Sequence, residues 1–213
     1  MRKTLLLAVI AVIIAASFSI SQANVLEGRF GYFNPVGVTG NGNIIFGASY
    51  GKGIDQMVSV SLGFDYFGKT FEEKVTVDTD TTIIGTTMTK VLYKHTVRYL
   101  PLFASISLAF PIDFAIKPYA GLDLGYGLGS VSYSYNDTLA SSTIDAGPDD
   151  GWYSGFGWRV RAGGKIKLGY SSAFVIQAMY NGNTISREEE SGYKRELDMS
   201  GIGFGVALEL SGF

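Results

Sequence analysis

Two stretches of this chain alternate so regularly that they leave little choice of backbone. Val58, Val60, Leu62, Phe64 and Tyr66 are interleaved with Ser59, Ser61, Gly63, Asp65 and Phe67, and Ile202, Phe204, Val206, Leu208 and Leu210 with Gly201, Gly203, Gly205, Ala207 and Glu209. A period of two residues places one set of side chains on each face of an extended strand. A helix would mix the two sets around its circumference. Charge is absent from the apolar face in both stretches.

The same pattern recurs. Strands are expected over residues 25–33, 43–52, 57–68, 98–110, 119–129, 152–167, 173–181 and 200–210, eight in all. Even-numbered residues make the apolar face throughout: Leu26, Phe30 and Tyr32 in the first, Leu122, Leu124 and Tyr126 in the fifth, Phe156, Trp158 and Val160 in the sixth. The connections alternate between long (34–42, 69–97, 130–151, 182–199) and short (53–56, 111–118, 168–172). Long external loops and short periplasmic turns in alternation belong to an outer-membrane barrel. The expected fold is therefore all-β, an eight-stranded antiparallel up-and-down transmembrane β-barrel.

The amino terminus agrees. Arg2 and Lys3 precede an apolar run from Leu5 to Ile14, and Ser21-Gln22-Ala23 has the small-x-small form of a cleavage site. This reads as a signal peptide over 1–23, cleaved after Ala23. The apolar run is shorter than the ~20 residues a helical span needs. The barrel domain then covers 24–213, and the bacterial outer membrane is its expected location. With 17 basic against 19 acidic residues, and two of the basic ones in the signal, the chain is not built for nucleic acid. It has no cysteine, which removes disulfides, thiolate metal sites and cysteine nucleophiles.

A soluble ligand-binding barrel would turn the apolar face inward. The other face argues against that, because it is made of small residues: Gly47, Ser49 and Gly51, Ser59 and Ser61, Ser105 and Ser107, Gly121 and Gly125. These suit the narrow interior of an eight-stranded barrel. Aromatic residues toward the strand ends form two expected belts, Tyr32, Tyr66, Tyr126, Trp152, Trp158 and Tyr180 on one side and Tyr50, Phe110 and Phe174 on the other. Outer-membrane lipid and lipopolysaccharide are the partners this surface implies.

The inward face also carries Glu27, Arg29, Asp65, Asp123, Arg159, Arg161, Lys165, Lys167 and Glu209. Buried charges persist only when paired or hydrated. The nearly balanced signs favour an internal network that plugs the barrel, with Asp123 and Arg161 as expected neighbours. An ion path with a charge filter is the alternative. The 69–97 connection alternates as well, through Phe71, Val75 and Val77 and back through Met88, Lys90 and Leu92. It reads as a protruding hairpin and a candidate site for a surface partner, against the alternative of a disordered threonine-rich loop.

Catalysis finds little support. The single histidine, His95, lacks a serine at a spacing that would share its strand face. Asp145, Asp149 and Asp150 offer oxygen ligands for calcium but match no defined loop. Glu188, Glu189 and Glu190 with Arg187, Lys194 and Arg195 form a mixed charged surface. No cofactor is expected.

The run Lys117-Pro118-Tyr119-Ala120-Gly121-Leu122-Asp123-Leu124-Gly125-Tyr126-Gly127 and the terminal Phe213, behind a signal peptide and on eight alternating strands, resemble the small OmpA/OmpX-type outer-membrane barrels. The resemblance implies insertion by the outer-membrane assembly machinery, which reads a last strand ending in an aromatic residue, here Phe213. Phe213 departs from the pattern in parity, being odd where the outward residues are even. No OmpA-like periplasmic domain follows, so a peptidoglycan-binding role is not expected. The expected function is structural or surface-interacting, of adhesion type. A narrow channel for small solutes is the alternative, and a lipid A-modifying enzyme is the third reading.

Overall fold

A computed structural model describes residues 23–38, 40–55, 57–79, 86–112, 114–135, 150–189 and 192–212, with 73–79, 86–93 and 134–135 described by their backbone. The signal segment before Ala23, the hairpin apex at 80–85, Asp145, Asp149, Glu190 and Phe213 lie outside the described residues.

The chain forms β1 (Asn24–Pro35), β2 (Asn43–Gly53), β3 (Val58–Thr79), β4 (Thr86–Ala109), β5 (Ile116–Tyr135), β6 (Gly151–Lys167), β7 (Ser172–Glu188), β8 (Lys194–Asp198) and β9 (Gly201–Ser211). From β1 to β7 each strand pairs antiparallel with the next. The short β8 and the longer β9 lie along β7 in one register, through Thr184↔Asp198 and Asn181↔Gly201. They make one interrupted stave, so the barrel has eight. Pairing of β1 with β9, from Val25↔Ser211 to Pro35↔Gly201, closes it.

The register fixes the shape. A walk from Val25 through its successive partners Gly51, Ser61, Ser105, Asp123, Arg159, Asn181 and Gly201 returns to β1 at Pro35, ten residues further on. A stagger of that size over eight strands tilts them by about 40° and leaves an interior that side chains can fill.

Even-numbered side chains point outward: Phe30 is 56% exposed, Leu124 49% and Phe204 61%. Odd-numbered side chains point inward, where Phe33, Asp65 and Asp123 are buried. The apolar band is thus on the outside, the reverse of a soluble ligand-binding barrel.

Two expectations need correction. The 182–199 connection is not a loop: β7 runs on to Glu188 and β8 returns against it. Its outward residues, Gly182, Thr184, Ser186 and Glu188, are not apolar because this part of the stave stands beyond the lipid-facing band. A reading keyed to an apolar outward face stops where that band stops. The same holds for β3 and β4, which remain paired to Thr79↔Thr86 with a bulge at Glu73/Lys74. The 69–97 connection is a hairpin continuous with the barrel.

The second correction concerns the inward face. It is small only in part. Phe33, Ile45, Phe67, Val97, Tyr99, Val131, Tyr153, Met179 and Ile185 also point inward and pack into one buried cluster, joined by Val38 and Met199. The outer half of the barrel has a true hydrophobic core.

Candidate functional site: the barrel interior and its two mouths

Of the nine inward charges, six meet in a closed ring. Glu27 accepts from Arg29 at 2.8 Å and from Arg161 at 3.4 Å. Arg29 donates through Nε to Asp65 Oδ1 at 3.1 Å. The other oxygen of Asp65 pairs with Arg159. Arg159 Nε donates to Asp123 Oδ2 at 2.6 Å, and Arg161 Nη2 donates to Asp123 Oδ1 at 3.0 Å. Three carboxylates and three guanidiniums from β1, β3, β5 and β6 therefore alternate around a cycle with no net charge. All six are buried, Asp123 completely. The expected neighbours Asp123 and Arg161 do meet, although the register partner of Asp123 is Arg159.

A buried charge left short of partners destabilises strongly, so closure of the cycle matters more than its size. Charge-assisted bonds to planar guanidiniums supply both strength and fixed geometry. Two serines take up further donors, Ser49 accepting from Arg29 at 3.2 Å and Ser107 from Arg161 at 3.3 Å. The ring of Phe103 lies under the Arg159 guanidinium at 4.0 Å and under that of Arg29 at 5.8 Å, which offers both cations an aromatic face. Glycine makes the room: a Cβ on Gly47 would land on the Asp65 carboxylate and the Phe64 carbonyl.

On the external side, Tyr99 links ring and core. Its hydroxyl accepts from Asn183 Nδ2 at 2.7 Å and from Asn181 Nδ2 at 3.4 Å. Beyond it Phe33 and Phe67 meet edge to face at 5.6 Å. On the other side, the Tyr119 hydroxyl bonds Gln177, beside buried Val175 and Ala207. The ring is thus enclosed between two packed layers.

Lys165, Lys167 and Glu209 stand apart from the ring. Glu27 and Glu209 are direct cross-strand partners, yet they turn to different cations. Glu209 accepts from Lys165 at 2.5 Å. Lys167 has no ion pair among the described residues. These groups line a cavity of about 470 Å³ at the end that holds the short turns and both described termini.

At the opposite mouth the extended staves carry an aromatic row on their inner side. His95 stacks on Tyr133 at 4.2 Å and lies 5.9 Å from Phe71, and the Lys69 ammonium sits 4.3 Å over Phe71. Burial of the Lys69 stem lowers its pKa below the usual lysine value. Glu189 bonds Arg195 and Arg187, and those bonds hold its carboxyl below the usual carboxylate range. Arg187 also donates to the Asp150 carbonyl, which ties β7 to the start of β6. No cluster that could hold a metal occurs among the described residues.

The nine belt aromatics all sit at outward positions, and four are tied laterally: Tyr126 donates to Ser154 at 2.8 Å, Trp158 lies 5.7 Å from Tyr180, and Tyr66 lies 5.3 Å from Phe46. Sequence reasoning missed Phe103, Tyr99 and the outer core. Their signal was present as bulky residues at odd positions, where the rest of the face is small.

No family model matches the chain, and no curated protein matches it. Solved structures do. The outer membrane protein OprG of Pseudomonas aeruginosa aligns with a TM-score of 0.53 at 12% identity, over 89% of this chain and 95% of that one. Neisserial surface protein A aligns with a TM-score of 0.54 at 12% identity, over 88% and 95%. A major outer membrane protein of Thermus thermophilus aligns with a TM-score of 0.50 at 11% identity, over 90% and 100%. At such identities the likeness is one of fold, and it agrees with the outward apolar band and the closed register. The chain has the fold of the small eight-stranded outer-membrane β-barrels.

Proposed function

We propose that this protein is a non-conducting outer-membrane barrel that works at the cell surface through its extended external staves, in an adhesion-type role. The observation that supports this reading is the packed outer core lying above a closed ring of ion pairs. A solute entering from outside meets the packed layer of Phe33, Phe67, Val97 and Ile185, then the closed ion ring. Conduction would require opening both, and a ring that opens leaves buried charges unpaired.

The external hairpin supplies the surface. Pairing of β2 with β3 ends at Ile45↔Phe67, while β3 continues to Thr79. From Thr70 outward no strand lies on the β2 side of β3 among the described residues. An exposed strand edge is a template for an added strand from a partner. The barrel holds the base of this edge rigidly, which limits the entropy lost on binding. We read the role as non-enzymatic.

Planar-bilayer recording of the purified barrel tests the seal. We expect no porin-like steps; large steady conductance would overturn the reading. Cells displaying a variant whose β3–β4 hairpin is shortened to close between Glu72 and Lys94 should retain the folded barrel and lose adherence to protein-coated surfaces. Unchanged adherence would place the surface role elsewhere.

A further inference from the structure

The cavity at the short-turn mouth is not explained by sealing or by surface interaction. Short turns lie on the periplasmic side of such barrels. Lys117 and Lys165 are direct cross-strand partners with both side chains on the cavity wall, and Lys167 follows two residues on, on the same face. Like charges directly opposite one another in a sheet are destabilising. Among the described residues only one of the three cations is answered, Lys165 by Glu209. The other carboxylate on the wall, Asp55, is engaged: its Oδ1 accepts the backbone N–H groups of Met57 at 2.6 Å and Val58 at 2.7 Å. Among the described residues Lys117 and Lys167 have no ion pair. The same barrel closes every charge of its central ring, so among the described residues the excess of cation is local to the mouth.

We propose that the periplasmic mouth is an anion site that takes a phosphate ester. Three ammonium groups around one concavity suit a tetrahedral anion with several acceptor oxygens, approached as point charges. A volume of about 470 Å³ holds a phosphate together with a glycerol-sized substituent. On the ring side of the cavity the Lys165 ammonium lies 5.6 Å over the Tyr119 ring, whose hydroxyl bonds Gln177. Tyr170, fully exposed, and Phe110, 45% exposed, stand at the rim. Exposed aromatics at a strand end mark the headgroup level. The phosphate ester therefore comes from a lipid of the periplasmic leaflet or from a free ester in the periplasm.

The test uses the full barrel, refolded in maltoside micelles free of phosphate, with backbone amide shifts near Lys117 and Lys167 as the readout. One arm titrates glycerol phosphate. The other adds phosphatidylglycerol to the same phosphate-free maltoside micelles. We expect saturable shifts in at least one arm, with the responding arm naming the source. Lys117→Gln with Lys167→Gln should weaken the affinity by about tenfold or more, the loss of two charge-assisted contacts. Lys52→Gln, an outward lysine at the same end, should leave it unchanged. If the double variant does not fold, the rim substitution Lys167→Gln alone should still weaken binding measurably. Absence of saturation in both arms, or equal affinity in wild type and the lysine variants, overturns the proposal.

Discussion

Asp123 and Glu209 are both inward carboxylates bonded to cations, and they lie in different electrostatic worlds. The Asp123 side chain is 0% exposed and held by two guanidiniums, each of which holds a further carboxylate. The Glu209 side chain is 16% exposed and meets one lysine, at the lip of a cavity. The first belongs to a cycle in which every member has two opposite partners. The second belongs to an open set in which, among the described residues, cations outnumber anions. A dry environment tolerates charge only as a closed set, whereas a wet mouth leaves charge available to something else.

Breaking the cycle should give the largest effect. Asp123→Ala strands Arg159 and Arg161 with one carboxylate apiece in the dry centre. We expect a loss of about 3–5 kcal/mol in urea unfolding from lipid vesicles, as for other buried pairs deprived of one partner. Asp123→Asn keeps the shape and one acceptor oxygen but removes the charge and the second acceptor, and should fall between wild type and alanine. A loss below about 1 kcal/mol for Asp123→Ala, typical of exposed pairs, would mean that water reaches the ring.

A charge placed one residue along the chain sharpens the contrast in another direction. Leu124 faces outward, 49% exposed, directly beside the most buried carboxylate of the ring. Leu124→Arg should cost about 2–4 kcal/mol, the penalty for a cation near the middle of the hydrocarbon. Wild-type stability of the refolded variant in bilayers would show that the even face does not meet lipid.

How far this contrast could be read from sequence depends on the link involved. The barrel and its faces were legible because lipid imposes one rule on every even position it touches between Leu26 and Leu210, and no tertiary detail relaxes it. The upper reaches of β7 and all of β8 were not legible, because beyond the lipid-facing band Thr184 and Ser186 are as acceptable as Leu would be below it. The identity of the inward charges was legible from parity, since Arg159, Arg161 and Asp123 occupy odd positions. Their connectivity was not. Diagonal neighbours such as Glu27 and Arg161 become partners only through the ten-residue stagger, which depends on every strand register at once. Lys167 shares their parity and lies outside the ring because strand position, rather than face, decides whether a charge is central or at the mouth.

The smallest effect is expected at that mouth, and it carries the comparison to its limit. Glu209→Gln removes the acidic partner of Lys165 and leaves three ammonium groups around the cavity. In the ring the equivalent change would strand a dry charge. Here water can solvate Lys165, so the loss should stay within about 1 kcal/mol, the range of partly exposed ion pairs. Its signature should be salt dependence, because repulsion among Lys117, Lys165 and Lys167 is screened over a Debye length of about 8 Å at physiological ionic strength. Urea unfolding of Glu209→Gln should therefore approach wild type as salt is raised, while that of Asp123→Ala should not, since its stranded cations lie beyond the reach of bulk ions. If both variants recovered alike with salt, the ring would be as wet as the mouth and the barrel would not be sealed.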